Sequence, residues 1–283
     1  MTTVGQSLAG ARAAGVDKLD ADLLLLAARG VDAAALHASR SWLPAHDTDA
    51  LPLDVLAIYR SFLERRLAGE PLAYIVGGKE FYGLPLMVDA RVLVPRPDTE
   101  TLVDWTLELY PDAAAPACRL LDLGTGSGAI ALALKHMRPS WTIDAVDASS
   151  AALAVAAANA DRLQLPLTLL HGPWFAPVQA RYDCIVSNPP YVAEADPHLP
   201  ALMHEPMSAL TSGPDGLNDI RLIVAGAPAH LLPGGHLLLE HGHDQGPAVQ
   251  VLLAAAGFET LPSRHDLAGH WRCTAGQWHG APT

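Results

Sequence analysis

Apolar residues recur at intervals of three and four through the first part of the chain. This spacing predicts an amphipathic helix over Leu53–Leu67. The leucine- and alanine-rich composition predicts another helix over Asp20–Arg29, with Asp17 or Asp20 available to cap its start and a glycine just beyond its end. We therefore expect residues 1–72 to form a small helical bundle, which we interpret as a substrate-recognition domain.

The pattern changes over residues 73–98, where short β-prone runs alternate with glycine and proline. The runs Ala73–Val76 and Leu86–Val88 lie on either side of a glycine-rich stretch. Such a pattern predicts short strands or a hairpin. We expect this segment to link two domains.

A rigid segment, Pro95-Arg96-Pro97, follows the predicted hairpin. Asp98 or Thr99 is placed to cap the next predicted helix, Glu100–Leu109. A plain linker explains this segment as well as a functional role for Arg96 or Glu100 does, so both interpretations stay open here.

From residue 118 onward, apolar strand-like runs alternate with helical periodicity. Alternation of this kind predicts an α/β fold with a doubly wound, mainly parallel sheet and helices on both faces. Ligands bind such sheets at the carboxyl ends of the strands. The predicted strands are Arg119–Leu123, Thr142–Val146, Leu167–Leu170, Tyr182–Val186, Gly235–Glu240, 258–261 and 271–278, and the predicted helices are Ala129–Met137, Ser149–Arg162, Asp219–His230 and Gln245–Ala256.

Composition narrows the classes of protein and partner. The net charge is −12, which argues against bare nucleic acid as the main partner, although basic residues between 60 and 96 could form a local patch or ordinary solvated faces. No apolar run reaches the roughly 18 residues of a membrane span, and the amino terminus lacks a signal peptide pattern. Cys118, Cys184 and Cys273 are widely separated, which is typical of reduced thiols in the cytoplasm. The histidines show no spacing that indicates a metal site.

A glycine-rich turn, Gly124-Thr125-Gly126-Ser127-Gly128, follows the first strand of the predicted sheet. Glycines let a ligand approach the backbone closely. The spacing is not the Gly-x-Gly-x-x-Gly of dinucleotide-binding proteins, and Asp122 just before the turn is a poor neighbour for phosphates. The combination suits a ligand with an amino group and favours S-adenosylmethionine over a nicotinamide cofactor.

Two further residues follow the next strands of the predicted sheet. Asp147 lies about twenty residues beyond the glycines, where a carboxylate commonly binds ribose hydroxyls. A simple helix cap is its alternative role. Trp174 follows the third strand, where its ring could cover an adenine or could pack in the core.

The most specific motif is Asn188-Pro189-Pro190-Tyr191, which ends the strand Tyr182–Val186. Two prolines fix the backbone and make the loop stiff. The Asn188 side-chain oxygen and the Pro189 carbonyl can both accept hydrogen bonds from one NH₂ group. Tyr191 can pack on the planar group that carries it. The loop is therefore expected to present a nitrogen for chemistry. A rigid turn with an asparagine cap would explain Asn-Pro alone, but it does not explain the full motif at a strand end beside a glycine-rich turn.

With these motifs, the chain resembles the release factor glutamine N5-methyltransferase family (PrmC/HemK family). Further similarities lie in 65–74, 80–83, 94–100, 205–206, 234–235 and 238–242, so the resemblance covers nearly the whole chain. It implies a Rossmann-like class I methyltransferase domain over 99–283, after a hairpin linker over 73–98. It also implies a cytoplasmic, monomeric enzyme that uses S-adenosylmethionine on class I peptide chain release factors, without direct nucleic-acid or membrane binding.

The resemblance also implies roles for single residues. The turn Gly124–Gly128 would hold the methionine part of the cofactor, Asp147 the ribose and Trp174 the adenine side. Asn188 would contact both cofactor and substrate, and Pro189–Tyr191 would complete the substrate contacts. Two positions depart from the family pattern, since Pro173 stands where an acid is more common and Asp98 where glutamate is usual.

Other functions are consistent with parts of this pattern. The same chemistry could act on the glutamine of a ribosomal protein or on an exocyclic amine of a nucleic acid. A binding protein with a nucleoside-type pocket but no catalysis is a third possibility. The acidic charge and the motifs outside the pocket favour the release factor as substrate.

Overall fold

The computed structural model describes residues 2–111, 118–266 and 268–280. The chain divides into two compact units, which are Met1–Glu80 with Met87–Ala90, and Phe81–Leu86 with Arg91–Thr283. The recognition role predicted for residues 1–72 stays a prediction. No helix in the described ranges is long and apolar enough to cross a membrane.

The first unit is built from helices around a leucine-rich core. Leu23–Leu26 are four consecutive buried leucines, and the buried Tyr59 donates its hydroxyl hydrogen to the Ala21 carbonyl at 3.2 Å. The N-cap of the second helix is Asp17, which accepts the Leu19 amide at 2.7 Å, whereas Asp20 pairs with Arg66. The helices are α1 (Val4–Ala13), α2 (Lys18–Ala28), α3 (Trp42–Ala45), α4 (Leu53–Leu67) and α5 (Leu72–Val76), with 3₁₀ turns at Ala33–Ala35 and Ala38–Ser41.

The prediction of a strand over Ala73–Val76 is wrong, because these residues belong to helix α5. Pro71 precedes the helix and Gly77, with φ of +75°, ends it. These boundary residues outweigh the β-propensity of the branched side chains between them, because propensity is a weak prior against local capping. A hairpin does follow, formed by β1 (Gly78–Phe81) and β2 (Leu84–Met87).

The second unit contains the doubly wound α/β sheet that the alternating pattern predicted. Its strand order is β5-β4-β3-β6-β7-β10-β8, with β9 paired to β10. The strands from β5 to β7 run parallel, and β10 is antiparallel to β7. The strands are β3 (Arg119–Leu123), β4 (Thr142–Asp147), β5 (Thr168–His171), β6 (Tyr182–Ser187), β7 (Leu231–Glu240), β8 (Glu259–Thr260), β9 (Arg264–His265) and β10 (Trp271–Trp278).

The helices of this unit also match the predicted pattern. They are α6 (Glu100–Leu109), α7 (Ala129–Met137), α8 (Ser150–Leu163), α9 (Asn218–His230) and α10 (Gly246–Ala255). One detail differs from expectation. Thr99 occupies the N-cap position of α6, but its side chain makes no capping hydrogen bond. Its hydroxyl is instead engaged at the site described below.

The order in which strands are added to the sheet reverses between β3 and β6. These two strands are parallel neighbours, although β4 and β5 lie between them in sequence. The Ser187 hydroxyl at the end of β6 donates to the Leu123 carbonyl at the end of β3, at 2.7 Å. This hydrogen bond ties together the strand ends that carry the glycine-rich turn and the Asn-Pro-Pro-Tyr loop. Ligands bind at such a switch point in doubly wound sheets.

Candidate active site

A cavity of about 450 Å³ lies at the carboxyl ends of these strands. Its lining brings together predicted residues that are far apart in sequence. They are Gly124, Gly126, Asp147, Trp174, Asn188 and Pro190. The turn after β3 and the loop after β6 therefore line one cavity, which has the size of a small-molecule site.

The glycine-rich turn has two faces with different roles. Gly124 and Gly126 line the cavity and have φ of +73° and +57°, values that side chains rarely allow. Gly128, with φ of +84°, lies against α7, where an added Cβ would come within 3.0 Å of the Leu132 side chain. Thr125, Ser127 and Gly128 are buried and are not among the cavity-lining residues. They support the turn from behind.

Asp122 supports the same turn from the core of the sheet. It is fully buried, and its Oδ2 accepts the Thr125 hydroxyl hydrogen at 2.7 Å. Burial raises the pKa of this carboxyl to about 7, although the Thr125 hydrogen bond acts in the opposite direction. The carboxyl group does not line the cavity. Its visible role is to fix the shape of the turn, and contact with an amino-bearing ligand stays a prediction.

Asp147 places its carboxylate at the cavity wall with both oxygens engaged by backbone amides. Oδ2 accepts the Gly126 amide at 2.9 Å, and Oδ1 accepts the Ser149 amide at 2.8 Å. The N-cap of α8 is Ser149, whose hydroxyl accepts the Ala152 amide. The capping role considered for Asp147 thus belongs to Ser149. Asp147 thus links the glycine turn to the end of β4, and its contact with a ribose stays a prediction.

Trp174 adopts a left-handed backbone conformation with φ of +43°. Such a conformation is uncommon for a bulky residue and is seen often at functional sites. The indole ring reaches to 3.5 Å from a Cβ built on Gly124, and it also packs against the core of the sheet. The Trp174 side chain therefore both packs against the core and lines the cavity.

The Asn-Pro-Pro-Tyr loop presents some residues to the cavity and buries others. Asn188 and Pro190 line the cavity, while Pro189 is buried. The Asn188 Nδ2 group donates to Thr99 Oγ1 at 3.1 Å. Tyr191 donates its hydroxyl hydrogen to Glu240 Oε1 at 3.2 Å. Tyr191 thus anchors the loop, and its predicted packing on a substrate stays a prediction.

The sequence alone did not indicate several residues of the site. Arg91, Val92, Leu93, Pro206, Ser208 and Asp219 also line the cavity. A buried carboxylate, Glu205, holds part of this wall by accepting the Val94 amide at 3.0 Å and by pairing with Arg96. The structure therefore gives Arg96 a structural role. The proximity of Glu205 to the Pro-Arg-Pro segment is not visible in the sequence, because the two lie more than a hundred residues apart.

Comparisons with known proteins agree with this arrangement. Residues 107–215 match the family described as "Methyltransferase small domain", and residues 6–77 match the "PrmC N-terminal domain". A solved methyltransferase from Pyrococcus furiosus, 18% identical, has a TM-score of 0.54 and covers 70% of this chain and 90% of its own. That likeness shows the fold.

Curated relatives extend the similarity to most of the chain. A release factor glutamine methyltransferase from Bordetella pertussis is 48% identical over 91% of this chain and 96% of its own length. The protein of the same description from Pseudomonas aeruginosa is 46% identical over 92% of each chain. Identity at this level over nearly full length extends the match beyond the shared fold. The chain is a member of the release factor glutamine methyltransferase family.

Proposed function

We propose that this enzyme methylates the side-chain amide nitrogen, N5, of the glutamine in the Gly-Gly-Gln loop of class I peptide chain release factors, with S-adenosylmethionine as donor. The observation that carries this proposal is the single cavity shared by the glycine turn and Asn188, in a member of this family. One half of the cavity suits the donor, and the other half suits a planar amide.

The donor half fits S-adenosylmethionine by its shape and its polar groups. Gly126 leaves open space where a side chain would stand, so a ligand can approach the backbone. The Asp147 carboxylate can accept ribose hydroxyl hydrogens, and the Trp174 ring offers a flat surface for adenine. When bound, S-adenosylmethionine supplies an electrophilic methyl group on a positively charged sulfur. Thr125, Ser127 and Gly128 would hold the turn in its binding shape.

The acceptor half explains how a weak nucleophile is used. The lone pair of an amide nitrogen is delocalised into its carbonyl, so the nitrogen reacts only when it is well aligned. The Asn188 Oδ1 atom and the Pro189 carbonyl would accept its two hydrogens, and Pro190 would limit the space around it. These contacts orient the nitrogen and stabilise the positive charge that develops there. The nitrogen then gains the methyl group and loses one hydrogen as a proton to solvent.

The partner and compartment follow from the proposed substrate. A protein substrate agrees with the net charge of −12, which gives little attraction for free nucleic acid. Release factors work with ribosomes, so we propose a cytoplasmic enzyme that acts as a monomer and recognises its substrate through residues 1–72.

A substrate panel tests the proposal. The enzyme is incubated with methyl-labelled S-adenosylmethionine and, separately, a release factor, ribosomal proteins and nucleic acid. Label is expected in the release factor alone. A release factor with alanine in place of the Gly-Gly-Gln glutamine is the matched control and is expected to stay unlabelled. Labelling of ribosomal protein or nucleic acid in preference to the release factor would instead support the same chemistry on another amine or amide.

A further inference from the structure

Behind the Asn188 side chain lies a chain of buried polar groups that the reaction itself does not explain. Asn188 is hydrogen-bonded to Thr99, which is 4% exposed, and the Thr99 side chain in turn favours the charged form of the fully buried Glu240. Thr99 precedes α6 and Glu240 ends β7, so elements far apart in sequence meet behind the loop. Burying a carboxylate is unfavourable, which asks for a reason beyond packing.

The donors and acceptors among these buried groups fix the direction of each hydrogen bond. A threonine hydroxyl has one hydrogen to donate and can also accept. Thr99 Oγ1 accepts from Asn188 Nδ2 at 3.1 Å, so its own hydrogen is left for another acceptor. The helix does not occupy the hydroxyl oxygen, because Thr99 accepts no capping hydrogen bond from the α6 amides. An ionised Glu240 can only accept, and its Oε2 atom has no hydrogen-bond partner among the described residues.

We propose that Glu240, acting through Thr99, is a positioning residue that fixes the Asn188 amide with its oxygen toward the cavity. This inference rests on the proposed function, since it specifies how the substrate amide is accepted. A carboxylate that draws the Thr99 hydrogen leaves the hydroxyl only an acceptor toward Asn188. Asn188 must then turn its NH₂ group to Thr99 and its Oδ1 atom to the substrate.

The surroundings of Glu240 act on its charge in both directions, and its carboxyl is mainly charged above about pH 7. Burial raises its pKa to about 7, while the Thr99 side chain and the Arg272 guanidinium favour the charged form. Its other oxygen, Oε1, accepts the Tyr191 hydroxyl hydrogen, which couples the same carboxylate to the far end of the Asn-Pro-Pro-Tyr loop. One carboxylate therefore contacts the loop anchor and lies beside the residue that holds Asn188.

The opposite orientation of Asn188 would work against the reaction. Its NH₂ group would then face the NH₂ group of the glutamine substrate, and neither can accept a hydrogen bond. Removing the directional partner should therefore lower turnover more than cofactor binding. This loss of turnover is expected even though Asn188 itself is unchanged.

The first test replaces Thr99 with valine, which keeps the shape but removes the hydroxyl. At about pH 8, Thr99→Val is expected to lower kcat by about tenfold or more, with the KM for S-adenosylmethionine changed by less than about threefold. Thr99→Ser keeps the hydroxyl and should recover most of the loss. Thr106→Val is the matched control, because Thr106 is also buried but lies within α6 and donates to the Leu102 carbonyl instead of meeting Asn188.

A kcat for Thr99→Val within about threefold of wild type, or a loss no larger than that of Thr106→Val, would overturn the proposal. Methylation of the release factor by the wild-type enzyme is measured in the same assay. Its absence would count against the proposed function, whereas a positive result with an unaffected Thr99→Val variant would count against this inference alone.

A second test changes the residues at both ends of this hydrogen-bond chain, Asn188 and Glu240. It remains decisive if Thr99→Val does not fold. Asn188→Asp puts carboxylates on both sides of the single Thr99 hydrogen and should be nearly inactive. Adding Glu240→Gln supplies an NH₂ donor to Thr99, whose hydrogen then turns to Asp at position 188. The double variant is expected to be about tenfold more active than Asn188→Asp alone. No recovery in a folded double variant would contradict the directional chain.

Discussion

The two halves of the cavity lie at neighbouring strand ends but are held in different ways. The glycine turn is fixed by contacts close by, since the Gly126 amide binds the end of β4 and Thr125 binds Asp122 three residues earlier. The Asn-Pro-Pro-Tyr loop is fixed by side chains from distant segments, with Thr99 behind Asn188 and Glu240 behind Tyr191. The donor half thus depends on backbone shape, and the acceptor half depends on side-chain polarity.

This difference separates binding from turnover. Backbone geometry and one carboxylate set how well the donor half can hold a cofactor. The direction of a buried hydrogen-bond chain sets how well the acceptor half can orient an amide. Substitutions in the two halves should therefore have different kinetic signatures, and four of them can break or sharpen the comparison.

The largest effect is expected from Asn188→Ala. Removing the acceptor for the substrate amide should lower kcat by about a hundredfold or more, because it removes a contact that orients the reacting nitrogen. Cofactor affinity, measured by calorimetry, should change by only a few fold. Near-normal turnover of a folded Asn188→Ala variant would remove Asn188 from the reaction.

The opposite signature is expected from Asp147→Ala. The Gly126 and Ser149 amides lose a charged partner, and the ligand loses an acceptor. S-adenosylmethionine should bind about tenfold to a hundredfold more weakly, with a smaller change in kcat at saturating cofactor. Asp144→Ala is the control in the same strand, because Asp144 pairs with Arg119 and Tyr182 instead. Equal loss of cofactor affinity in both variants would argue against a binding role for Asp147.

A stability measurement should reveal the cost of the buried carboxylate behind the acceptor half. Burial raises the pKa of Glu240 from 4.5 to about 7, so its stabilising contribution is present below 4.5 and is lost as pH rises to about 7. Relative to wild type, Glu240→Gln should gain at most about 3 kcal/mol of stability between about pH 5 and about pH 8. Urea unfolding at the two pH values measures the gain, and a pH-independent difference would contradict it. The same variant is expected to be less active.

The smallest effect concerns the support of the glycine turn. Gly128→Ala places a Cβ against Leu132 at a φ of +84°, which should destabilise the protein by about 1–2 kcal/mol. Gly10→Ala, within α1 and with no atom near the added Cβ, should instead stabilise it by about 0.5–1 kcal/mol. Thermal unfolding measures both variants. A stabilising Gly128→Ala would show that the turn does not need this glycine.

The same comparison explains what the sequence could predict. The sheet, its helices and the glycine turn follow from local patterns, because apolar strands and positive-φ glycines are encoded where they occur. The single helical turn Leu72–Val76 was missed, since its ends are set by Pro71 and Gly77 while its interior favours a strand.

The supports of the acceptor half could not be predicted from local patterns. The sequence pattern predicts a helix cap at Thr99, and it places Glu240 at the end of an apolar strand. Their meeting behind Asn188 and Tyr191 depends on the strand order, which puts β7 beside β6. The donor half can therefore be predicted from a sequence motif, whereas the residues that support the acceptor half are identified only from the three-dimensional structure.

The most direct test of the account is the position of the methyl group on the product. A release factor is treated with the wild-type enzyme and S-adenosylmethionine, digested, and sequenced by fragmentation mass spectrometry. A single methyl group on the amide nitrogen of the Gly-Gly-Gln glutamine, greatly reduced with Asn188→Ala, is the predicted result. A methyl group on any other residue, or equal modification by the two enzymes, would contradict the assignment of the Asn-Pro-Pro-Tyr loop as the site that presents the glutamine amide.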